Sequence, residues 1–164
     1  GSDPLNLSLR CVRTLGRCDL DFNYRLIIGP DFDREKLICS TERALSQFDL
    51  YEDVTNMGDM MRQADIAISA GGRTVYELAA TGTPALVIAQ NQGEVERMEL
   101  LRRENVIEFL GHGEEFDFDR LPGLLTSLAE DHKRRKDMSE RGQDLVDGRG
   151  VTRILDIVHE MLVG

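Results

Sequence analysis

The stretch "ISAGGRTVYELAATGTPALVIA", residues 68–89, decides the fold of this 164-residue chain. An apolar run ends at Gly71-Gly72, a short helical pattern follows over residues 73–81, and a second apolar run covers residues 84–89. Neither run alternates apolar with polar residues, which is typical of central parallel strands covered on both faces. The stretch therefore predicts two neighbouring parallel strands joined by a helix.

The rest of the chain repeats this alternation of strands and helices. Such spacing indicates right-handed βαβ units, so the predicted fold is a single α/β domain, residues 1–164, with a doubly wound, Rossmann-like parallel sheet. The predicted strands cover residues 24–28, 49–54, 65–70, 84–89 and 106–110. The predicted helices cover residues 4–18, 33–47, 57–64, 73–81, 94–104, 118–142 and the segment from residue 150.

The charge balance argues against polyanionic partners. Thirty acidic residues against 20 basic ones give a net charge of −10, and no basic stripe interleaved with aromatic residues offsets it. This disfavours nucleic acid and acidic membrane surfaces as partners. No apolar run reaches the ~18 residues of a membrane span, and the N-terminus lacks a signal-peptide core, so we expect a cytoplasmic protein with no transmembrane segment.

The cysteines and histidines point to neither a metal nor a cofactor. The three cysteines form no CxxC pair, and no two of the three histidines are spaced i, i+4. We interpret the cysteines as buried, reduced core thiols and the histidines as solvated surface residues. The prediction is therefore that the chain has no metal site and no cofactor.

Three loops are candidates for a ligand site. In a doubly wound sheet, ligands bind beyond the carboxyl ends of the strands, where loops lead into helix N-termini. That rule selects residues 1–6, 69–74 and 89–94. Gly71 and Gly72 would let a ligand approach the backbone, and a helix N-terminus favours phosphate. On the residues alone, a plain tight turn explains the glycines equally well.

Glu77 has two interpretations that sequence spacing does not separate. The run Thr74-Val75-Tyr76-Glu77 fits the capping box, in which the Glu77 carboxylate would accept the backbone N–H of Thr74. The same carboxylate, in the first turn of a helix that faces the cleft, could accept hydrogen bonds from two vicinal ribose hydroxyls.

A resemblance to a known family covers most of the chain. The run "ADIAISAGGRTVYELAATGTPALVIAQNQ", residues 64–92, resembles the signature of the C-terminal, nucleotide-sugar-binding domain of GT-B proteins. It is similar to the family 28 glycosyltransferases, and more similar to the UDP-sugar hydrolases of pseudaminic acid synthesis and the spore-coat polysaccharide proteins. "GSDPLN" at residues 1–6 resembles the glycine-rich loop of that domain, and "DGRGVTRI" at residues 147–154 resembles the start of its final helix.

The resemblance implies a set of nucleotide-sugar-binding residues. Glu77 matches the acid that binds the ribose hydroxyls, which favours the ribose over the cap. The turn around the nucleotide matches Gly71, Gly72, Arg73 and Thr74. The loop that faces the ribose-phosphate and the sugar matches Asn91 and Gln92. The loop against the diphosphate matches Gly1, Ser2 and Asp3.

The same resemblance implies a function for a parent protein. The chain would be the UDP-binding half of a UDP-sugar hydrolase or glycosyltransferase of cell-surface polysaccharide or nonulosonic acid biosynthesis. The expected partners are a UDP-sugar and an N-terminal catalytic domain that lies outside this sequence, so no catalytic residue is assigned. Glu96 and Arg97 stand where a family 28 glycosyltransferase has a pair of sugar-reading glutamines, so the resemblance does not imply the identity of the donor sugar.

Two further readings stay open at this point. One is half of a non-hydrolysing UDP-sugar 2-epimerase, and the other is a non-catalytic flavodoxin-like interaction domain in which residues 74–77 only cap a helix. In the family, the first loop follows a central strand that would precede Gly1. We therefore expect either an unusual strand order or a homodimer, because unpaired backbone groups in a central sheet need partners.

Overall fold

The computed structural model describes residues 3–29 and 44–163 of the chain. The five strands are β1 (Tyr24–Ile28), β2 (Phe48–Glu52), β3 (Ala67–Ala70), β4 (Ala85–Ala89) and β5 (Ile107–His112). The helices are α1 (Leu7–Leu15), α2 (Met57–Arg62), α3 (Thr74–Thr81), α4 (Gln92–Arg103), α5 (Leu121–Glu130), α6 (His132–Leu145) and α7 (Gly150–Val163), with a short 3₁₀ helix at Phe118–Arg120. The predicted helix over residues 33–47 lies almost entirely outside the described residues.

All strand pairs in the structure are parallel, but they form two separate sheets. Strands β3, β4 and β5 form one sheet in that order, and β1 pairs with β2 in the other. Within residues 3–29 and 44–163, no hydrogen-bonded ladder joins the two sheets. The predicted α/β fold with parallel strands and flanking helices is confirmed.

Strand β4 is the centre of the core. It pairs with β3 on one side and β5 on the other, and all five of its residues are buried. Leu86 and Ile88 belong to a cluster with residues of α1, α5 and α6, whereas Ala85 and Val87 belong to a cluster with α2, α3 and α4. Because alternate side chains of a strand point to opposite faces, helices cover both faces of this sheet.

Strand β3 differs from the prediction for a central strand. Its four residues are only half-buried, and β4 is its only ladder partner among the described strands. An apolar strand covered on one edge alone keeps part of its surface open to solvent, and its second edge carries unpaired backbone groups. The local sequence predicted the strand but overestimated its burial.

Two aspartates set helix boundaries that the apolar pattern did not predict. Helix α1 begins at Leu7 rather than at residue 4, because the Asp3 carboxylate accepts the backbone N–H groups of Leu7 and Ser8 at 2.8 and 2.9 Å. The predicted helix over residues 118–142 is divided into three, and the Asp131 carboxylate starts α6 by accepting the N–H of Arg134 at 2.9 Å. Both side chains satisfy N–H groups that a helix N-terminus leaves unpaired.

Helix α7 forms as predicted, but its apolar stripe is exposed. The seven large apolar side chains of the stripe are 45–81% exposed, and they are Val151, Ile154, Leu155, Ile157, Val158, Met161 and Leu162. A continuous exposed apolar surface of this kind usually marks an interaction site in a stable protein. No helix within the described residues is long and apolar enough to cross a membrane.

The close packing of α6 against α3 depends on Gly142. A β-carbon at Gly142 would lie 3.0 Å from the carbonyl oxygen of Ala79, so Gly142→Ala should lower the free energy of unfolding by about 1–3 kcal/mol. Gly123→Ala in α5 is the matched control, because nothing lies within 4 Å of its β-carbon position. The control should raise stability by up to about 1 kcal/mol in urea titrations. Equal effects of the two changes would contradict this packing.

Candidate functional site

The loops after β3 and β4 form the candidate site. Ala70 of β3 is in register with Ile88 of β4, so the two strands end side by side at the same edge of the sheet. The first loop contains Gly71 and Gly72 and leads into α3, and the second contains Asn91 and leads into α4. The structure thus brings together two of the three loops that the sequence selected.

The two glycines of the first loop have different surroundings. A β-carbon at Gly71 would lie 3.0 Å from Cβ of Glu94 and 3.0 Å from Cγ of Met98, so the turn is packed closely on α4. At Gly72, nothing lies within 4 Å of the β-carbon position. Gly71 therefore allows close packing inside the protein, while Gly72 leaves open space at the start of α3.

The capping box predicted at Thr74 does not form. Helix α3 begins at Thr74, its N-cap is Arg73, and no side chain caps it. Glu77 lies exposed in the first turn, and no hydrogen bond of its carboxylate occurs among the described residues. The cap interpretation of Glu77 is therefore wrong. A capping box would need extended backbone at Thr74, but Thr74 is the first helical residue and Arg73 before it already has helical backbone angles.

Arg73 and Thr74 lie beside this open turn. Both side chains are exposed, and Arg73 forms no ion pair with any residue that the structure describes. A solvated guanidinium at a helix N-terminus has donors available for an anion.

The second loop contains the capping arrangement that α3 lacks. The Asn91 side chain accepts the backbone N–H of Glu94 at 3.0 Å, and the Glu94 carboxylate accepts the N–H of Gln90 at 2.7 Å. Asn91 and Gln92 are exposed at the start of α4, whereas Glu94 is buried. The sequence interpretation missed Glu94, although the spacing Asn-x-x-Glu before an amphipathic helix is a recognisable signal.

The chain start contributes the third loop only in part. Gly1 and Ser2 lie outside the described residues. The Asp3 carboxylate accepts the N–H of Leu7 in the first turn of α1. The Leu7 side chain lies next to Gly113, and the Gly113 N–H donates to the carbonyl of Ala89 at the end of β4. Asp3 therefore orders the start of α1 next to the end of β4.

Two cysteines lie among the described residues, Cys11 in α1 and Cys18 just after it. Burial, and to a smaller extent the nearby Asp3 carboxylate, raises the pKa of the Cys11 thiol to about 12. Cys18 is half-buried and donates to the carbonyl of Thr14. Both are free cysteines, and no group of three or more potential metal ligands occurs within the described residues.

A family model matches residues 1–142, which include all three loops. That model describes the glycosyltransferase family 28 C-terminal domain. The chain belongs to this family.

Two curated proteins are similar to the chain in sequence. The spore coat polysaccharide biosynthesis protein SpsG of Bacillus subtilis (strain 168) is 26% identical over 163 residues, which cover 98% of this chain and 48% of SpsG. The protein MJ1062 of Methanocaldococcus jannaschii is 33% identical over 95 residues, covering 56% of this chain and 20% of MJ1062. The chain spans half or less of the length of these relatives.

Solved structures show the same fold. The Anabaena protein Alr3699/HepE, crystallised in complex with UDP-glucose, superimposes with a TM-score of 0.75 at 15% identity, over 98% of this chain and 46% of HepE. WaaG, a glycosyltransferase involved in lipopolysaccharide biosynthesis, gives a TM-score of 0.70 at 15% identity, over 100% of this chain and 45% of WaaG. At this identity the likeness shows the fold alone, a Rossmann-like α/β arrangement shared with about half of each of these proteins.

The cap of α4 gives a direct test of the second loop. Asn91→Ala removes the oxygen that accepts the Glu94 N–H, so the free energy of unfolding should fall by about 1 kcal/mol. Asn91→Asp keeps an acceptor at the same place and should stay within about 0.5 kcal/mol of the wild type in urea titrations. The proposed cap is contradicted if Ala and Asp have the same effect.

Proposed function

We propose that this chain binds the UDP part of a nucleotide-sugar in the loops after β3 and β4. The parent protein would be a UDP-sugar hydrolase or glycosyltransferase of polysaccharide or nonulosonic acid biosynthesis. The observation that carries this proposal is the pairing of an open glycine turn with a capped helix start at one sheet edge, in a chain of glycosyltransferase family 28. The likeness to SpsG, and to the fold of a protein crystallised with UDP-glucose, supports it.

The diphosphate would lie against the starts of α3 and α4. The first N–H groups of a helix lack intrahelical partners, and the helix dipole adds partial positive charge there. Gly72 leaves room for close approach of a phosphate, and the exposed Arg73 can reach an anion beside it. These local donors would outweigh the net charge of −10 at short range. Asn91 and Gln92 would line the sugar side of the same site.

The ribose would bind Glu77. Its carboxylate is exposed in the first turn of α3, one helical turn from Arg73, and caps no helix. A carboxylate without an internal partner can accept hydrogen bonds from both vicinal hydroxyls. In this proposal Thr74 completes the turn around the nucleotide, and Gly1, Ser2 and Asp3 contribute the neighbouring loop.

The remaining half of the site would come from another part of the parent polypeptide. The curated relatives are at least about twice as long as this chain. Two surfaces here lack cover among the described residues, namely the apolar stripe of α7 and the ladder-free edge of β3. We propose that the N-terminal half of the parent supplies that cover and the catalytic residues, and that a homodimer is the alternative source of cover.

Ribose recognition by Glu77 is tested with two ligands and two proteins. Glu77→Ala should weaken UDP binding about 10- to 100-fold, because it removes hydrogen bonds to a charged group worth about 1.5–3 kcal/mol. The same change should not alter the binding of 2′,3′-dideoxy-UDP, which lacks both hydroxyls. Isothermal titration calorimetry gives both affinities, and UDP at 100 times its Kd should stabilise the wild type by about 2.7 kcal/mol.

Glu130→Ala is the matched control, since Glu130 lies exposed at the end of α5. It should leave the affinity for both ligands unchanged. If the wild type binds no UDP at millimolar concentration, the proposed function fails for this chain. If Glu77→Ala weakens UDP and the dideoxy analogue equally, the ribose role of Glu77 fails while UDP binding stands.

The cover proposed for α7 gives a separate prediction. A 14-residue helix whose apolar stripe is exposed adds little to the core. The free energy of unfolding of a chain ending at residue 149 should therefore lie within about 0.5 kcal/mol of that of the full chain. Light scattering should show less self-association after the truncation. A loss of more than about 2 kcal/mol would show that α7 packs on the rest of this chain. A stable dimer that depends on α7 would favour the homodimer.

A further inference from the structure

Glu94 is a buried acid between the two loops of the candidate site. It is 8% exposed, and it is the only charged side chain that is buried in the described part of the chain. It lies in the first turn of α4, one turn before Met98, which belongs to the same apolar cluster as Val87 of β4. A buried carboxylate is costly unless its oxygens are hydrogen-bonded, so this position needs a physical reason.

The contacts of Glu94 connect both loops. Its Oε2 atom accepts the backbone N–H of Gln90 at 2.7 Å, which fixes the chain where it leaves β4. The same Oε2 atom lies 3.1 Å, and Cβ of Glu94 lies 3.0 Å, from the position a β-carbon would take at Gly71. The side chain is therefore in van der Waals contact with the turn after β3 and hydrogen-bonded to the loop after β4.

A plain helix cap does not account for this arrangement. In a capping box the third helical residue folds back at the helix start, which a solvent-exposed carboxylate does equally well. Here the carboxylate is enclosed by the neighbouring loop, and glycine at position 71 is what makes room for it. Glycine at position 71 thus lets the Glu94 side chain pack against the turn that leads into α3.

We propose that Glu94 is a positioning residue that holds the Gly71 turn and the Gln90-Asn91 loop at the separation that the nucleotide diphosphate requires. This inference rests on the proposed function, because the diphosphate is the group expected between the two helix starts. Glu94 acts through the backbone and does not contact the ligand. Its removal takes away the Oε2 atom that accepts the Gln90 N–H and that packs beside Gly71.

Two substitutions separate the charge of Glu94 from its oxygen acceptor and its volume. Glu94→Gln keeps an oxygen acceptor of the same length and removes the charge, whereas Glu94→Ala removes the acceptor and the volume. We expect Glu94→Gln to bind UDP within about threefold of the wild type and Glu94→Ala to bind at least about tenfold more weakly. Glu130→Ala is again the matched control and should leave UDP affinity unchanged.

A readout without ligand tests the coupling of the loops. In ¹H–¹⁵N correlation spectra of the 164-residue chain, Glu94→Ala should move the amide signals of both Gln90 and Gly72, while Glu94→Gln should move them much less. Gly71→Ala approaches the same contact from the other loop and should move the Gln90 signal. That shift should shrink in the Gly71→Ala/Glu94→Ala pair, because the Oε2 atom that links the turn to the Gln90 N–H is gone, although Cβ at position 94 and Cγ of Met98 still crowd the new β-carbon.

The outcomes separate this inference from the proposed function. If the wild type binds UDP and Glu94→Ala binds it equally well, the positioning role is overturned and the proposed function stands. If the wild type binds no UDP, the proposed function fails, and the amide signals alone decide whether Glu94 couples the loops. If Glu94→Ala does not fold, Glu94→Gln and Gly71→Ala decide, and an unmoved Gln90 signal in Gly71→Ala overturns the coupling.

Discussion

The rest of the structure depends on the complete burial of β4. A strand that is buried on both faces must pair all its backbone groups in ladders, so β3 and β5 are held in parallel register on either side of it. Parallel pairing puts the ends of β3 and β4 next to each other, and the loops that leave those ends then begin α3 and α4. The site is therefore a consequence of where the apolar run over Ala85–Ala89 is placed.

Strand and helix positions were largely predictable because they depend on local periodicity. The burial of each strand was harder to predict. Strands β4 and β3 have similar apolar sequences, yet only β4 is fully buried. Burial depends on which strands lie alongside, and that is a property of the whole fold. The sequence pattern likewise predicted α1 too long and predicted α5 and α6 as one helix. Apolar spacing does not reveal that Asp3 and Asp131 accept the N–H groups at helix starts.

The position of the candidate site was predictable from the sequence, whereas the hydrogen bonds of its two helix starts were not. The rule for doubly wound sheets and the family resemblance both selected the loops after β3 and β4. The same pattern reading assigned a capping box to α3, where none forms. It overlooked the start of α4, where Asn91 accepts the N–H of Glu94 and the Glu94 carboxylate accepts the N–H of Gln90, one residue before the N-cap. A capping box requires extended backbone at its first residue, and the two sequences do not differ visibly in that respect.

The chain is acidic and has a buried carboxylate near its proposed anion site. Anion binding there is still consistent with electrostatics, because the hydrogen-bond donors next to the anion act at short range. The charge of Glu94 is hydrogen-bonded to the Gln90 N–H on the protein side of the loop, while the open side is lined by Gly72, Arg73 and two helix starts. In the proposed complex the diphosphate would meet neutral and cationic groups, the Glu77 carboxylate would face the ribose, and Glu94 would hold the two loops in place. Geometry set by a buried acid, rather than a high density of cations, would then give this edge its affinity for a diphosphate.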